Sequence, residues 1–123
     1  MTLVPGLQSL EARQGLAEAL RETFECWALH EKTQAELLGL ANVTALQRGE
    51  PLPADRSVLE RTGHVLAIER SLKKLFPGQP ERRAHWLSTP NPRLGGLAPL
   101  TIMLGGVKGM KSVQSLTETQ EEL

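Results

Sequence analysis

The chain has 123 residues, enough for one domain of ordinary size or two very small ones. Hydrophobic residues make up 40% and charged residues 23%, a globular composition, and 22 Leu against 6 Val and 2 Ile lean toward an all-α fold. The formal net charge is zero, no apolar run approaches the roughly 20 residues of a membrane span, and the opening MTLVPGLQSL lacks a basic region followed by an apolar core, so a cytoplasmic chain is expected.

A helix is predicted over 8–29, because Leu16, Leu20, Phe24 and Trp27 recur at spacings of four, four and three. Thr33-Gln-Ala-Glu36 has the form of a capping box and predicts a second helix opening at Thr33. Leu37, Leu38 and Leu40 give it an apolar side, and Gly39 sits where it should stop. Asn42 can cap a third, short helix to about Arg48 with Val43 and Leu46 inward, ended by Gly49, Pro51 and Pro53. From Asp55, an N-cap by type, a long helix is predicted to Phe76, with Val58, Leu59, Thr62, Val65, Leu66, Ile68, Leu72 and Leu75 on one stripe.

Pro77-Gly78 breaks that helix, and a shorter one over about 80–88 carries Trp86 and Leu87. Residues 89–96 are too rich in Pro and Gly for regular structure, and Pro99 suits the first turn of a helix over 100–104. Val107, Met110, Val113 and Leu116 then give a weak helical signal that Gly109 interrupts, and the terminal TETQEEL is expected to fray. The organisation predicted is a helical N-terminal region, 1–54, containing a helix-turn-helix at 33–49, followed by a C-terminal domain, 55–123.

The zero net charge hides a gradient. Residues 1–55 carry eight acidic and four basic side chains, residues 56–83 seven basic and three acidic, and the remainder three of each. Nucleic-acid affinity rests on Lys and Arg neutralising phosphates, and this chain offers one short basic stretch behind an acidic front half. Two oppositely charged faces that favour dimerisation or solubility explain the same pattern.

The chemistry-bearing residues are few. A single cysteine, Cys26, excludes an internal disulfide and a four-cysteine zinc site. Cys26 and His30, four apart, would share a helical face and form half a metal site, or be a small buried hydrophobe beside a partly exposed imidazole. Three His, no Tyr and no nucleophile–base pair point away from an enzyme, and no cofactor is implied. In a helix-turn-helix at 33–49 the second helix enters the major groove. Asn42, Thr44, Gln47 and Arg48 would then read bases, with Thr33 and Gln34 near phosphates. The same two helices can equally pack a small core or a dimer interface. The segment Thr89-Pro90-Asn91-Pro92 with Leu94-Gly95-Gly96 sets rigid beside permissive residues, as in a recognition loop or a shaped connector.

Read whole, Trp86-Leu-Ser-Thr-Pro-Asn-Pro-Arg-Leu-Gly-Gly-Leu-Ala-Pro-Leu100 resembles the signature of the Xre/MbcA/ParS antitoxin family. There a Trp-Leu pair, a Pro-Asn turn, a Leu-Gly-Gly step and a Pro-Leu helix start mark a C-terminal toxin-binding domain behind an Xre-like helix-turn-helix. The sequence departs from the pattern at Leu46, often Trp in the family, and at Thr101, usually an acid. The resemblance implies a dimeric all-α antitoxin, with no chemistry of its own, that covers the NAD pocket of a RES- or ParT-type toxin encoded beside it. It also implies possible repression of its own operon through operator DNA. The toxin-binding residues it implies are Trp86, Leu87, Pro90, Asn91, Leu94, Gly95, Gly96, Pro99 and Leu100. A NAD pocket needs basic groups for the pyrophosphate, and Glu118, Glu121 and Glu122 offer negative charge to meet them. A free-standing helix-turn-helix repressor whose C-terminal domain serves dimerisation is the alternative.

Overall fold

A computed structural model describes residues 9–119. Seven α-helices follow one another, α1 Leu10–Cys26, α2 Glu31–Leu38, α3 Thr44–Gln47, α4 Arg56–Leu75, α5 Pro80–Ser88, α6 Pro99–Leu104 and α7 Val107–Thr119, with a 3-10 turn at Pro92–Leu94. The fold is all-α; no strand occurs among the described residues, and an isolated bridge joins Asn91 to Leu97.

Most boundaries follow from local chemistry. Ser9 accepts the Ala12 N–H at the start of α1 and Asp55 accepts that of Val58 at the start of α4, each filling one of the four orphan donors of a helix start. Gly39 ends α2 at φ 74°, and the Leu40 N–H reaches back to the Ala35 carbonyl at 2.9 Å, the closing bond of a Schellman motif. Pro80 and Pro99 occupy first turns, where a missing N–H costs nothing.

Four expectations need correction. The first helix stops at Cys26, short of residue 29, because Ala28 turns into the left-handed region at φ 55° and the Leu29 N–H bonds back to the Phe24 carbonyl. The second helix opens at Glu31 under His30, whose Nδ1 accepts the Lys32 N–H at 3.2 Å, so Thr33 lies inside the helix and is not its cap. Gly109 does not interrupt α7, which runs unbroken to Thr119. Within the terminal segment expected to fray, Thr117 is buried on that helix; residues 120–123 lie outside the described part.

One buried cluster extends from Ala17 of α1 to Val113 of α7. The long helix α4 is its shared element, packing against α1, α2 and α7 through Val58, Val65, Ile68 and Leu72. Leu20, Phe24, Leu37, Leu38, Leu87, Met103 and Met110 fill the space between helices. Full burial of such a side chain contributes about 1.5–3 kcal/mol. The extended stretch after α3 is stapled to α1: Arg13 Nη1 donates to the Leu52 carbonyl at 2.8 Å, and the Leu52 N–H returns to the Arg13 carbonyl at 3.3 Å.

Polar groups also enter this interior. Glu69, 3% exposed, accepts the indole N–H of Trp27 at 3.0 Å on Oε1, and Arg83 Nε lies 3.3 Å from the same oxygen. That ion pair lacks hydrogen-bond alignment at Nε, but Arg83 Nη1 donates to the Phe76 carbonyl at 3.1 Å. Three helices are thus joined through one carboxylate.

Candidate functional site

At the N-terminal candidate, α2, a tight turn and α3 follow in the order expected of a helix-turn-helix, but α3 is a single turn of four residues. Asn42 Oδ1 accepts the Thr44 N–H at 3.1 Å, so its side chain shapes the turn before α3. Thr44, Gln47 and Arg48 are exposed. The Gln47 amide donates to Glu31 at 2.9 Å, and Arg48 stands 3.8 Å from Glu50. Gln34 donates its amide to the Leu29 carbonyl at 2.9 Å, which stabilises the α1–α2 corner, and Thr33 is half-buried. Cys26 and His30 do not share a helix, since one ends α1 and the other caps α2, so the same-face argument for metal ligation fails.

The second candidate is the loop between α5 and α6, and Asn91 organises it. Its Oδ1 accepts the Arg93 N–H at 2.9 Å, and its carbonyl accepts those of Leu94 and Gly96 at 2.9 and 3.0 Å. Its own N–H donates to the Leu97 carbonyl at 3.0 Å. Every hydrogen-bonding function of this residue except its amide NH2 therefore serves the loop. The bends need Gly95 at φ 67° and Gly96 at φ 83°, both with open space where a side chain would stand, so backbone conformation and not crowding selects glycine. At the loop's entry the Thr89 hydroxyl donates to the His85 carbonyl at 2.6 Å.

Beneath this frame lie the apolar residues. Leu87 and Pro99 are buried, and Trp86, Leu94 and Leu100 pack half-buried against the core. Pro90, Pro92, Arg93, Gly95 and Gly96 face solvent, and Asn91 is half-buried. The structure thus brings all nine C-terminal candidate residues into one region, with Leu87 and Pro99 in its foundation. Glu118 is exposed and bonds to Gln114 of its own helix; Glu121 and Glu122 lie outside the described residues.

Residues 71–116 match the family model of the antitoxin Xre/MbcA/ParS C-terminal toxin-binding domain. This part of the chain belongs to that family. The match runs from the last turns of α4 through α5, the loop and α6 to most of α7. No curated protein matches the chain. A toxin-binding domain implies a toxin as partner and an antitoxin role.

Within the Xre/MbcA/ParS domain the sequence reading missed Leu97. It is 50% exposed, one of two large apolar side chains left open among the described residues, and it stands directly after the Gly95-Gly96 bend. A single exposed leucine is ordinary, but this one sits at the edge of a loop held in one shape. The Leu-Gly-Gly-Leu run was the available signal: two successive left-handed glycines separate the half-buried Leu94 from the exposed Leu97. No helix among the described residues is long and apolar enough to cross a membrane.

Proposed function

We propose that this chain is the antitoxin of a type II pair and neutralises an NAD-consuming or ADP-ribosylating toxin of the RES or ParT kind by covering its active site. The single observation that carries this reading is the loop 89–97: hydrogen-bonded through Asn91, set by two left-handed glycines, and exposing Leu97 beside Pro90, Pro92 and Arg93. A toxin that binds NAD needs an open cleft with basic groups for the pyrophosphate. A stiff, partly apolar loop blocks such a mouth without catalysis, and a stable complex requires about 1,200–2,000 Å² of total buried surface. Trp86, Leu94 and Leu100 hold the loop from below. In this reading the chain is a non-catalytic regulator.

The test is co-expression with the product of the neighbouring reading frame, followed by size-exclusion chromatography and a cellular NAD assay. The wild-type chain is expected to co-elute with the toxin and preserve NAD. Leu97→Asp, placed where the side chain is half in solvent, is expected to keep the fold and lose both effects. A folded Leu97→Asp variant that still co-elutes and protects NAD refutes the loop assignment, and a wild-type chain that ignores its neighbour refutes the antitoxin reading itself.

A second reading, operator binding by a homodimer, rests on the α2–turn–α3 order with Thr44, Gln47 and Arg48 exposed. One turn of helix with its single cation beside Glu50 supports it less well than the loop supports toxin binding. DNA affinity that falls steeply with salt, and more weakly in Arg48→Ala, is its signature.

A further inference from the structure

The loop between α5 and α6 carries one charge. Between Arg83 and Lys108, Arg93 is the sole Lys, Arg, Asp or Glu. We propose, resting on the toxin reading above, that the Arg93 guanidinium takes the place of the substrate's nicotinamide ring in the toxin's cleft and pairs there with a carboxylate of the toxin.

The loop fixes where this cation stands. Arg93 is the middle residue of the 3-10 turn Pro92–Leu94, its N–H is held by Asn91 Oδ1 at 2.9 Å, and the residue is exposed. The two arginines before it in the chain are engaged within the fold: Arg82 lies 4.7 Å over the Phe76 ring, and Arg83 faces Glu69. The Arg93 guanidinium has no hydrogen-bond or ion-pair partner among the described residues. Its backbone is ordered before any partner arrives, so binding has only the side chain left to order. Around it Pro90, Pro92, Gly95, Gly96 and Leu97 are exposed and uncharged, and the bridge from Asn91 to Leu97 holds cation and leucine in one frame.

The chemistry of a NAD-consuming partner is the complement. NAD carries a formal positive charge on its nicotinamide ring and negative charge on its pyrophosphate. Breaking the bond from ring to ribose returns the bonding pair to the ring nitrogen and leaves positive charge on the ribosyl carbon. Enzymes stabilise such a sugar cation with carboxylates. A cleft for this reaction is therefore basic at its pyrophosphate end and acidic at its nicotinamide end. A lone cation is repelled by the first and fits the second, which also sets the direction in which the loop enters. Guanidinium suits that desolvated place, being planar, weakly hydrated and able to meet a carboxylate with two N–H groups.

The test titrates the product of the neighbouring reading frame with each full-length variant and follows its NAD turnover. The wild-type chain is expected to inhibit in competition with NAD. It is also expected to lose affinity in 1-methylnicotinamide, a cationic ring without the pyrophosphate, at concentrations that slow the toxin itself. Arg93→Lys, which keeps the charge but not the planar two-pronged contact, is expected to bind about tenfold more weakly. Arg93→Glu, which sets like charge against the carboxylate, is expected to bind about a hundredfold more weakly. Both are expected to keep the parent's melting temperature, because the guanidinium makes no polar contact among the described residues. Arg93→Glu that neutralises as well as the wild type, or wild-type affinity untouched by 1-methylnicotinamide, overturns the assignment of Arg93. Neither result touches the loop reading, which Leu97→Asp tests separately; a wild-type chain that does not bind its neighbour overturns both.

Discussion

Gly109 offers a change whose sign local rules get wrong. Glycine inside a helix costs up to about 1 kcal/mol relative to alanine, so Gly109→Ala in α7 would be chosen as a stabilising substitution. A Cβ at this position would stand 2.0 Å from the Ile102 carbonyl oxygen and 2.9 Å from its carbon. Both are backbone atoms of α6 and have no rotamer through which to yield. Relieving the overlap moves α6 away from α7 by roughly 1 Å, and a gap of that size forfeits about a quarter to a half of each contact across the interface. Overpacking of a close-packed contact costs about 1–3 kcal/mol. After the propensity gain, Gly109→Ala is expected to destabilise the protein by about 1–2 kcal/mol, read as a melting temperature lower by roughly 4–8 °C. Gly63 is the internal control: exposed on α4 with nothing near the added Cβ, its change to Ala is expected to stabilise by about 0.5–1 kcal/mol. Urea unfolding of both variants beside the parent measures the contrast. A Gly109→Ala protein as stable as the parent, or more so, refutes the close approach of α6 and α7. Because Pro99 closes the loop and opens α6, the proposed function expects the same variant to weaken toxin binding even where it remains folded.

Three other changes test single contacts. Ala28→Gly removes the left-handed strain of a non-glycine residue, about 1–2 kcal/mol, against the entropy that glycine adds to the unfolded chain, so a net gain of about 0.5 kcal/mol is expected by thermal unfolding. Asn91→Ala takes away the side-chain acceptor for the Arg93 N–H and should cost about 1 kcal/mol, whereas Asn91→Asp, which keeps that oxygen, is expected to retain most of the stability. Arg83→Ala leaves the Glu69 carboxylate buried without its cation and should cost about 3–5 kcal/mol in a urea titration. A loss below about 1 kcal/mol there shows that the pair is not desolvated as the structure has it.

The elements that were legible in the sequence are those set by local chemistry. Asp55, Gly39, Pro80 and Pro99 act through one cap, one left-handed turn and two missing N–H groups, and each boundary stands within a residue or so of where those rules put it. The end of α1 was not legible. Its apolar stripe continues through Trp27, and no glycine marks the turn; the chain bends there while the Trp27 indole bonds to Glu69, 42 residues away. Gly109 read as a helix breaker because its role depends on a carbonyl of a neighbouring helix that only the packed structure brings close. His30 escaped as a cap because a ring nitrogen is a rarer acceptor than the Thr33 hydroxyl three residues on. In the loop, composition announced a fixed shape but not which side would face outward, and the Leu-Gly-Gly-Leu run marks a bend without saying which of its two leucines stands in solvent.

Under the proposed function, the loop's stiffness bears on how a domain this small can hold a toxin. Ordering one residue of backbone costs about 1–2 kcal/mol, so a floppy segment of nine residues would forfeit on binding about as much free energy as its contacts supply. Here that cost falls on folding. The bonds through Asn91, the two left-handed glycines and the prolines at 90 and 92 fix the path, and Trp86, Leu94 and Leu100 attach it to the same core that α4 supports. It follows that variants which loosen the loop without removing any exposed atom should lose affinity through faster dissociation and slower productive encounter, while Leu97→Asp should act on dissociation through the lost contact. Asn91→Ala and Leu97→Asp separate the two contributions, because one alters the loop's order and leaves its exposed side chains intact, and the other does the reverse.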